Sequence, residues 1–161
     1  MCTSAGTRAI FESVQIVGAT IVVTGGASAI VSRCTILDCP VAVLVRGARS
    51  NALVRRSSVR GCAAFVVATG GGAAKVNDST VQMSDCGAAA VDVRGPGSHF
   101  QASNSTMSAP GPSSADSGAV DAAGLVAGRG IRGRSGATIE LVKYHVSGFM
   151  TGMDVCVAGT V

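Results

Sequence analysis

The stretch "VNDSTV" at residues 76–81 decides the fold, because its pattern returns in other parts of the chain. It consists of an apolar residue, two variable residues, a small polar residue, a variable residue and a second apolar residue. The segment "VRRSSV" at residues 54–59 has the same arrangement. Self-similarity at a fixed period is the signature of a repeat architecture, so the period of this motif is the first feature to establish.

The motif recurs about every 22 residues, with longer intervals toward the C-terminal end. Its second apolar position is assigned to Val14, Ile36, Val59, Val81, Met107 and Val146. Its first apolar position is assigned to Val31, Val54, Val76, Ala102 and Leu141. Each repeat then supplies an alternating strand that ends in Gly, such as "VLVRG" (43–47) and "VDVRG" (91–95).

Three short β segments in a unit of this length are too few for a propeller blade, and no Leu/Asn pattern marks a leucine-rich repeat. They suit one coil of a solenoid, in which each strand pairs with the equivalent strand of the next coil about 4.8 Å away. The 22 glycines and the absence of Trp favour stacked small side chains in the core. We therefore predict a single domain over residues 1–161 with about six coils and a Pro/Ser/Gly-rich excursion at about 108–118.

The repeat resembles the right-handed parallel β-helix repeat of the pectate-lyase-like superfamily over about residues 13–161. The resemblance implies an all-β, right-handed parallel β-helix, but it implies little about function, because members include lyases, hydrolases and noncatalytic scaffolds. In that family the inward polar position often carries Asn. Here the position is assigned to Cys34, Ser57, Ser79, Ser105 and Tyr144. A serine column can chain its hydroxyl groups along the axis, and Tyr144 indicates a widened last coil or one near an end.

The cysteines follow the repeat rather than a metal-binding spacing. There is no CxxC pair and no His at a ligand spacing, so we predict neither a metal site nor a cofactor. Cys39, Cys62 and Cys86 are expected to form a second column. Parallel side chains in one column seldom reach the torsion of a disulfide, so packed free thiols are predicted, with a disulfide or redox role as the alternative.

Composition excludes several classes of function. Every apolar run is interrupted before the roughly 18 to 20 residues of a membrane-spanning helix. The N-terminus has no signal-peptide pattern, which leaves the localisation unknown. The net charge of +4 is compatible with an acidic partner, but with only four Phe, one Tyr and no Trp the chain lacks the stacking platforms of specific nucleic-acid binders.

Enzymes of the superfamily act on acidic polysaccharides, and the resemblance implies clustered acids that hold Ca²⁺ beside a basic residue or act as general acid and base. The best catalytic candidates are Asp92 with Asp121 or Asp154, and Arg94 as the basic partner. The intervening coils lack acids at these positions and no aromatic sugar platform accompanies them. We therefore favour the interpretation that the chain is not an enzyme.

A second candidate site is the arginine cluster Arg129, Arg132 and Arg134, within a break in the repeat at residues 108–134. It is interpreted either as a binding surface or as a solvated loop kept soluble by its charges. Two segments compete as the strand equivalent to "AVLVRG", namely "AVDAAG" (119–124) and "GIRGRSG" (130–136).

The predicted function is a noncatalytic scaffold or protein-interaction module within a larger protein or assembly. The chain enters in mid-pattern and stops on a strand, so other protein subunits or the remainder of a longer chain are expected at the coil ends. The alternative is a carbohydrate-active, lyase- or hydrolase-like domain that acts on or binds an acidic glycan. A third possibility is an anion-binding stripe, because Arg46 and Arg94 fall at equivalent places.

Overall fold

A computed structural model of the chain describes residues 5–84, 89–109 and 126–156, and all regular structure in these ranges is β. The protein is a parallel β-solenoid, in which each strand pairs with the equivalent strand of the next turn. The strands are β1 (Arg8–Glu12), β2 (Gln15–Val17), β3 (Ile21–Thr24), β4 (Ser28–Ser32), β5 (Thr35–Leu37), β6 (Val41–Arg46), β7 (Asn51–Arg55), β8 (Ser58–Cys62), β9 (Ala64–Thr69), β10 (Ala73–Asn77), β11 (Thr80–Met83), β12 (Ala89–Arg94), β13 (His99–Ser108), β14 (Val126–Arg134), β15 (Thr138–Ser147) and β16 (Phe149–Cys156). None of the described residues belongs to a helix of the length and apolarity needed to cross a membrane.

The solenoid has about four turns rather than the six coils expected. Four successive groups of three strands, from β1–β3 to β10–β12, form regular turns. Beyond them, two strands merge into one. Strand β13 pairs with both β10 and β11, and β15 pairs along the whole of β13. The bends at Asn104 and Lys143 keep the geometry of earlier bends, but pairing resumes directly after them, so the first two strands of a turn become one long strand.

The two predicted apolar columns are confirmed. Val31 pairs with Val54, which pairs in turn with Val76. Val59 stands between Ile36 and Val81 in the same way. These side chains are at most 1% exposed, so the core is made of equivalent residues stacked turn upon turn.

The assignment of the first turn was wrong by two residues. Ile16, not Val14, pairs with Ile36. The backbone oxygen of Val14 accepts the N–H of Thr35 at 3.1 Å, which places Val14 at the end of the column that contains Cys34. The first turn has 20 residues from Ile16 to Ile36, against 23 from Ile36 to Val59 and 22 from Val59 to Val81. Val14 is 42% exposed at the edge of the stack.

A bend separates the first and second strands of the four regular turns and recurs inside β13 and β15. A residue other than glycine occupies the left-handed region at each bend, with φ between 47° and 56°, and these residues are Ser13, Arg33, Arg56, Asp78, Asn104 and Lys143. From the second bend on, the residue that follows the bend belongs to the predicted polar column, whereas Val14 follows the first bend.

The serines of this column form a hydrogen-bond ladder with the backbone. The Ser57 hydroxyl donates to the Arg55 carbonyl at 2.8 Å and accepts the N–H of Cys34, one turn earlier, at 3.2 Å. Ser79 and Ser105 repeat both bonds. The expected hydroxyl-to-hydroxyl chain is wrong, because each bend leaves an inward backbone N–H and this donor takes the hydroxyl of the next turn.

Cys34, Cys39 and Cys62 are buried free thiols. The Cys39 thiol donates to the Leu37 carbonyl at 3.1 Å. Burial raises the pKa of the Cys62 thiol to about 11. A register shift after Gln82 places Met83 opposite Cys62, whereas Cys86 lies outside the described residues.

Strand β14 resolves the choice left open after the break in the repeat. Arg132 pairs with Asp92, so "GIRGRSG" (130–136) continues the column of third strands. The segment 119–124 and most of the predicted excursion at 108–118 lie outside the described residues.

Candidate functional site

The charged residues predicted as a site lie on a six-stranded sheet, in which the strands have the order β16, β14, β12, β9, β6 and β3. Asp92 is in register with Arg132, and Arg132 with Asp154. Val91 and Val93 point into the core with no exposed surface, so Asp92 between them faces outward. The strand register therefore places Asp92, Arg132 and Asp154 in one row, at equivalent positions of neighbouring strands, whereas Asp121 lies outside the described residues.

A second row runs parallel to the first and contains Thr69, Arg94 and Arg134. The two rows are joined by an ion pair, in which Arg94 Nε donates to Asp92 Oδ2 at 2.8 Å and the terminal guanidinium nitrogen contacts the same oxygen. The hydrogen bond and charge of Asp92 raise the pKa of Arg94. The predicted equivalence of Arg46 and Arg94 is confirmed, because both pair with Thr69.

Burial of the two partners is unequal. The Asp92 side chain is 5% exposed and that of Arg94 is 52% exposed. Asp92 Oδ1 is buried without a hydrogen-bond partner among the described residues. Arg132 is also buried, and its backbone pairs directly with that of Asp92. Cations on two sides thus stabilise the Asp92 carboxylate as a buried ion.

This arrangement affects what Asp92 can do chemically. A general acid or base needs a proton-transfer path to a substrate, and Asp92 is covered and already bonded to Arg94. Within the described ranges, no three His, Cys, Asp or Glu side chains come together in a group that could hold a metal ion. The geometry of Asp92 is that of a structural ion pair.

The arginine cluster is placed in a strand rather than in the expected loop. Arg129, Arg132 and Arg134 belong to β14, which pairs with β12 on one side and β16 on the other. The glycines of this segment suggested a loop, but pairing on both sides supplies the backbone hydrogen bonds and outweighs glycine's low strand propensity. The binding role of the three arginines remains a prediction.

The first and second strands of the turns form a ten-stranded sheet with β13 and β15. A shallow cavity of about 380 Å³ lies on the outer face of this sheet, across β7, β10 and β13. It forms because the short side chain of Ala73 stands between Asn51 and His99 in one outward row. Lys75 and Gln101 border it from the adjacent row. The cavity has an apolar floor that is bordered by Lys75 and by the side-chain amides of Asn51 and Gln101.

The sequence analysis missed this cavity and one of its partners. His99 Nε2 lies 3.8 Å from Glu140 Oε2, and the same carboxylate oxygen accepts a hydrogen bond from Gln101 Nε2 at 3.0 Å. The repeat spacing contained a signal for the contact with Glu140, though not for the cavity, because Lys75, Gln101 and Glu140 occupy one row of successive turns.

The end turns expose apolar side chains. In the first turn, Ile10, Val14 and Val17 are 61%, 42% and 57% exposed. In the last, Val142 is 55% exposed. Strands β1, β2 and β15 each pair on one side only within the described ranges, which leaves a free backbone edge at each end of the ten-stranded sheet.

No family model, curated protein or solved structure matches this chain. The parallel β-solenoid therefore rests on the strand register of the chain itself, and membership of the pectate-lyase-like superfamily stays a proposal.

Proposed function

We propose that the chain is a noncatalytic β-solenoid scaffold of the right-handed, pectate-lyase-like type, which binds other proteins through the edge of its first turn. The observation that carries the proposal is the exposure of Ile10, Val14 and Val17 beside unpaired strand edges. Interior turns bury the residues equivalent to Val14 inside the stack, for instance Cys34 at 2% exposure.

The physical reason is that one turn of a solenoid cannot bury its core residues without a neighbour. A partner strand added to β1 or β2 would satisfy the free backbone groups and cover the apolar side chains together. The partner is another protein subunit or a further part of a longer chain.

The alternative, a domain that acts on or binds an acidic glycan, would use Asp92, Asp154 and Arg94. It has less support, because the Asp92 side chain is 5% exposed and already bonded to Arg94.

The test is site-specific photo-crosslinking in extracts of the native source, with the photoreactive residue at position 10 or 17. The matched control is position 30, because Ile30 is the equivalent of Ile10 in the second turn. Crosslinks to defined proteins are expected at positions 10 and 17 and not at 30, and the double substitution Ile10→Lys with Val17→Lys should abolish them. Equal crosslinking at all three positions, or crosslinks that survive the double substitution, would refute the proposal.

A further inference from the structure

Positive charge is concentrated in the second and third turns. Residues 28–69 contain six arginines and one aspartate, hence a net charge of +5. The chain as a whole has a net charge of +4, so all remaining residues together carry −1. The excess charge of the protein is therefore a local property of two turns rather than a general surface feature.

Three of these six arginines lie at one corner of the solenoid, and we call them the arginine corner: Arg33, Arg55 and Arg56. Arg33 and Arg56 occupy the same bend in successive turns. The backbone N–H of Arg33 donates to the Arg55 carbonyl at 3.1 Å, so the two bends are in direct contact. All three residues are exposed.

The backbone at this corner disfavours arginine. Arg33 and Arg56 have φ of 56° and 49°, in the left-handed region where Asn and Asp are enriched. The next two turns use Asp78 and Asn104 at the equivalent bend. Two successive turns thus carry arginine at a backbone position that disfavours it, at a cost to local stability, which points to a role for the two guanidinium groups.

The corner already holds one carboxylate of the chain itself. Glu12, at the end of edge strand β1, forms an ion pair with Arg33. The hydrogen bond and charge of Arg33, together with the charge of Arg55, lower the pKa of Glu12. Arg55 Nε donates to the Ser32 hydroxyl at 3.2 Å, and neither Arg55 nor Arg56 forms an ion pair within 4 Å with a residue that the structure describes. Glu12 thus shows the ligand chemistry that suits the corner, and Arg55 and Arg56 can offer their remaining guanidinium donors to further carboxylates.

We propose that the arginine corner binds an acidic segment, rich in Asp or Glu, of a partner protein. The inference rests on the proposed function, because it assigns the scaffold one class of protein partner. A nucleic acid suits the corner less well, since the five aromatic side chains of the protein are buried or packed against the core and provide no stacking platform there.

The test is fluorescence anisotropy of a labelled octaglutamate peptide titrated with the full chain at low salt. Arg55→Gln with Arg56→Gln should weaken binding about tenfold or more, because two charge-assisted contacts are lost. The matched control is Arg46→Gln with Arg49→Gln, which removes the same charge from the same two turns at another corner and should weaken binding less than about threefold. Glu12→Gln should tighten binding about threefold, because it releases Arg33 from its ion pair.

Equal weakening by the two double variants would overturn the proposal, because binding would then follow net charge alone. Unchanged or weaker binding by Glu12→Gln would also overturn it. The proposal would also be overturned if an oligothymidine of the same length bound more tightly than the peptide and the Arg55/Arg56 double variant lost that binding, because that result assigns the corner to nucleic acid. Arg56→Asn places a residue suited to the bend and keeps the test valid if the double variant unfolds. Ile10→Gln with Val17→Gln removes the apolar side chains of the first turn without adding charge and should leave peptide binding unchanged, so the two proposals fail separately.

Discussion

Removal of one hydroxyl from the serine ladder should destabilise two turns at once, and Ser57→Ala is the sharpest test. The Ser57 hydroxyl makes two hydrogen bonds, but their loss has unequal consequences. The Arg55 carbonyl also accepts the N–H of Arg33 at 3.1 Å, so it stays paired without Ser57. The N–H of Cys34 bonds to the Ser57 hydroxyl alone among the described residues and becomes an unsatisfied buried donor.

The cost of one buried, unsatisfied amide is about 1 to 3 kcal/mol, so we expect Ser57→Ala to lower the free energy of unfolding by about 2 kcal/mol. Ser57→Cys should recover part of the loss, because Cys34 already occupies this column and its thiol donates to the Ser32 carbonyl at 3.3 Å. Ser58→Ala is the matched control. Ser58 carries the same side chain on the outward face, and its removal should cost less than about 0.5 kcal/mol.

Urea unfolding followed by circular dichroism measures the free energies, and hydrogen exchange locates the effect. Exchange at the Cys34 amide should accelerate in Ser57→Ala and remain slow in Ser58→Ala. If the two alanine variants unfold within about 0.5 kcal/mol of one another, or if the Cys34 amide stays protected, the ladder does not stabilise the bend as argued.

Three further results are expected. Burial raises the pKa of the Cys62 thiol from 9.0 to about 11, so the unfolded chain loses this proton first. The free energy of unfolding should therefore stay constant below about pH 9 and fall as the pH rises from 9 toward 11. A Cys62→Ala variant that shows the same fall in pH-dependent unfolding would contradict the assignment. Asp92→Asn should lower the free energy of unfolding in urea by about 2 kcal/mol, because it leaves the buried surroundings of the carboxylate with uncompensated positive charge. Arg94→Gln should lower it less, because the Arg94 side chain is half exposed. The reverse order would refute the structural role of the carboxylate. Gly72→Ala should lower the thermal midpoint and reduce the free energy of unfolding by about 1 to 3 kcal/mol, because the new methyl group would lie 2.8 Å from the Val45 carbonyl oxygen. An unchanged midpoint would show that the turns can separate to accept the methyl group.

The columns were predictable because a parallel solenoid turns sequence period directly into spatial register. The register of the first turn was not predictable, because the sequence allows two alignments there. Val14 and Ile16 are both apolar and two residues apart, and a slip of two residues in a strand keeps every side chain on the same face. Only the pairing of Ile16 with Ile36 distinguishes the two alignments.

The candidate sites depended on information that a single repeat does not contain. The row that holds Asp92 and Arg132 follows from the register of strands, but the choice between the segments 119–124 and 130–136 required the pairing of β14 on both sides. The cavity at Ala73 arises from the difference in side-chain length between neighbours in successive turns. Such a hollow leaves no signal in either hydrophobic period or motif.

The serine ladder also gives the solenoid a direction. Each hydroxyl serves the backbone of the preceding turn, as Ser79 serves Ser57 and Ser105 serves Ser79. A turn is therefore complete only when its successor has been laid on it. During synthesis from the N-terminus every new turn would seal the one already made, and unravelling that starts at the C-terminal side would reopen those amides in the opposite order.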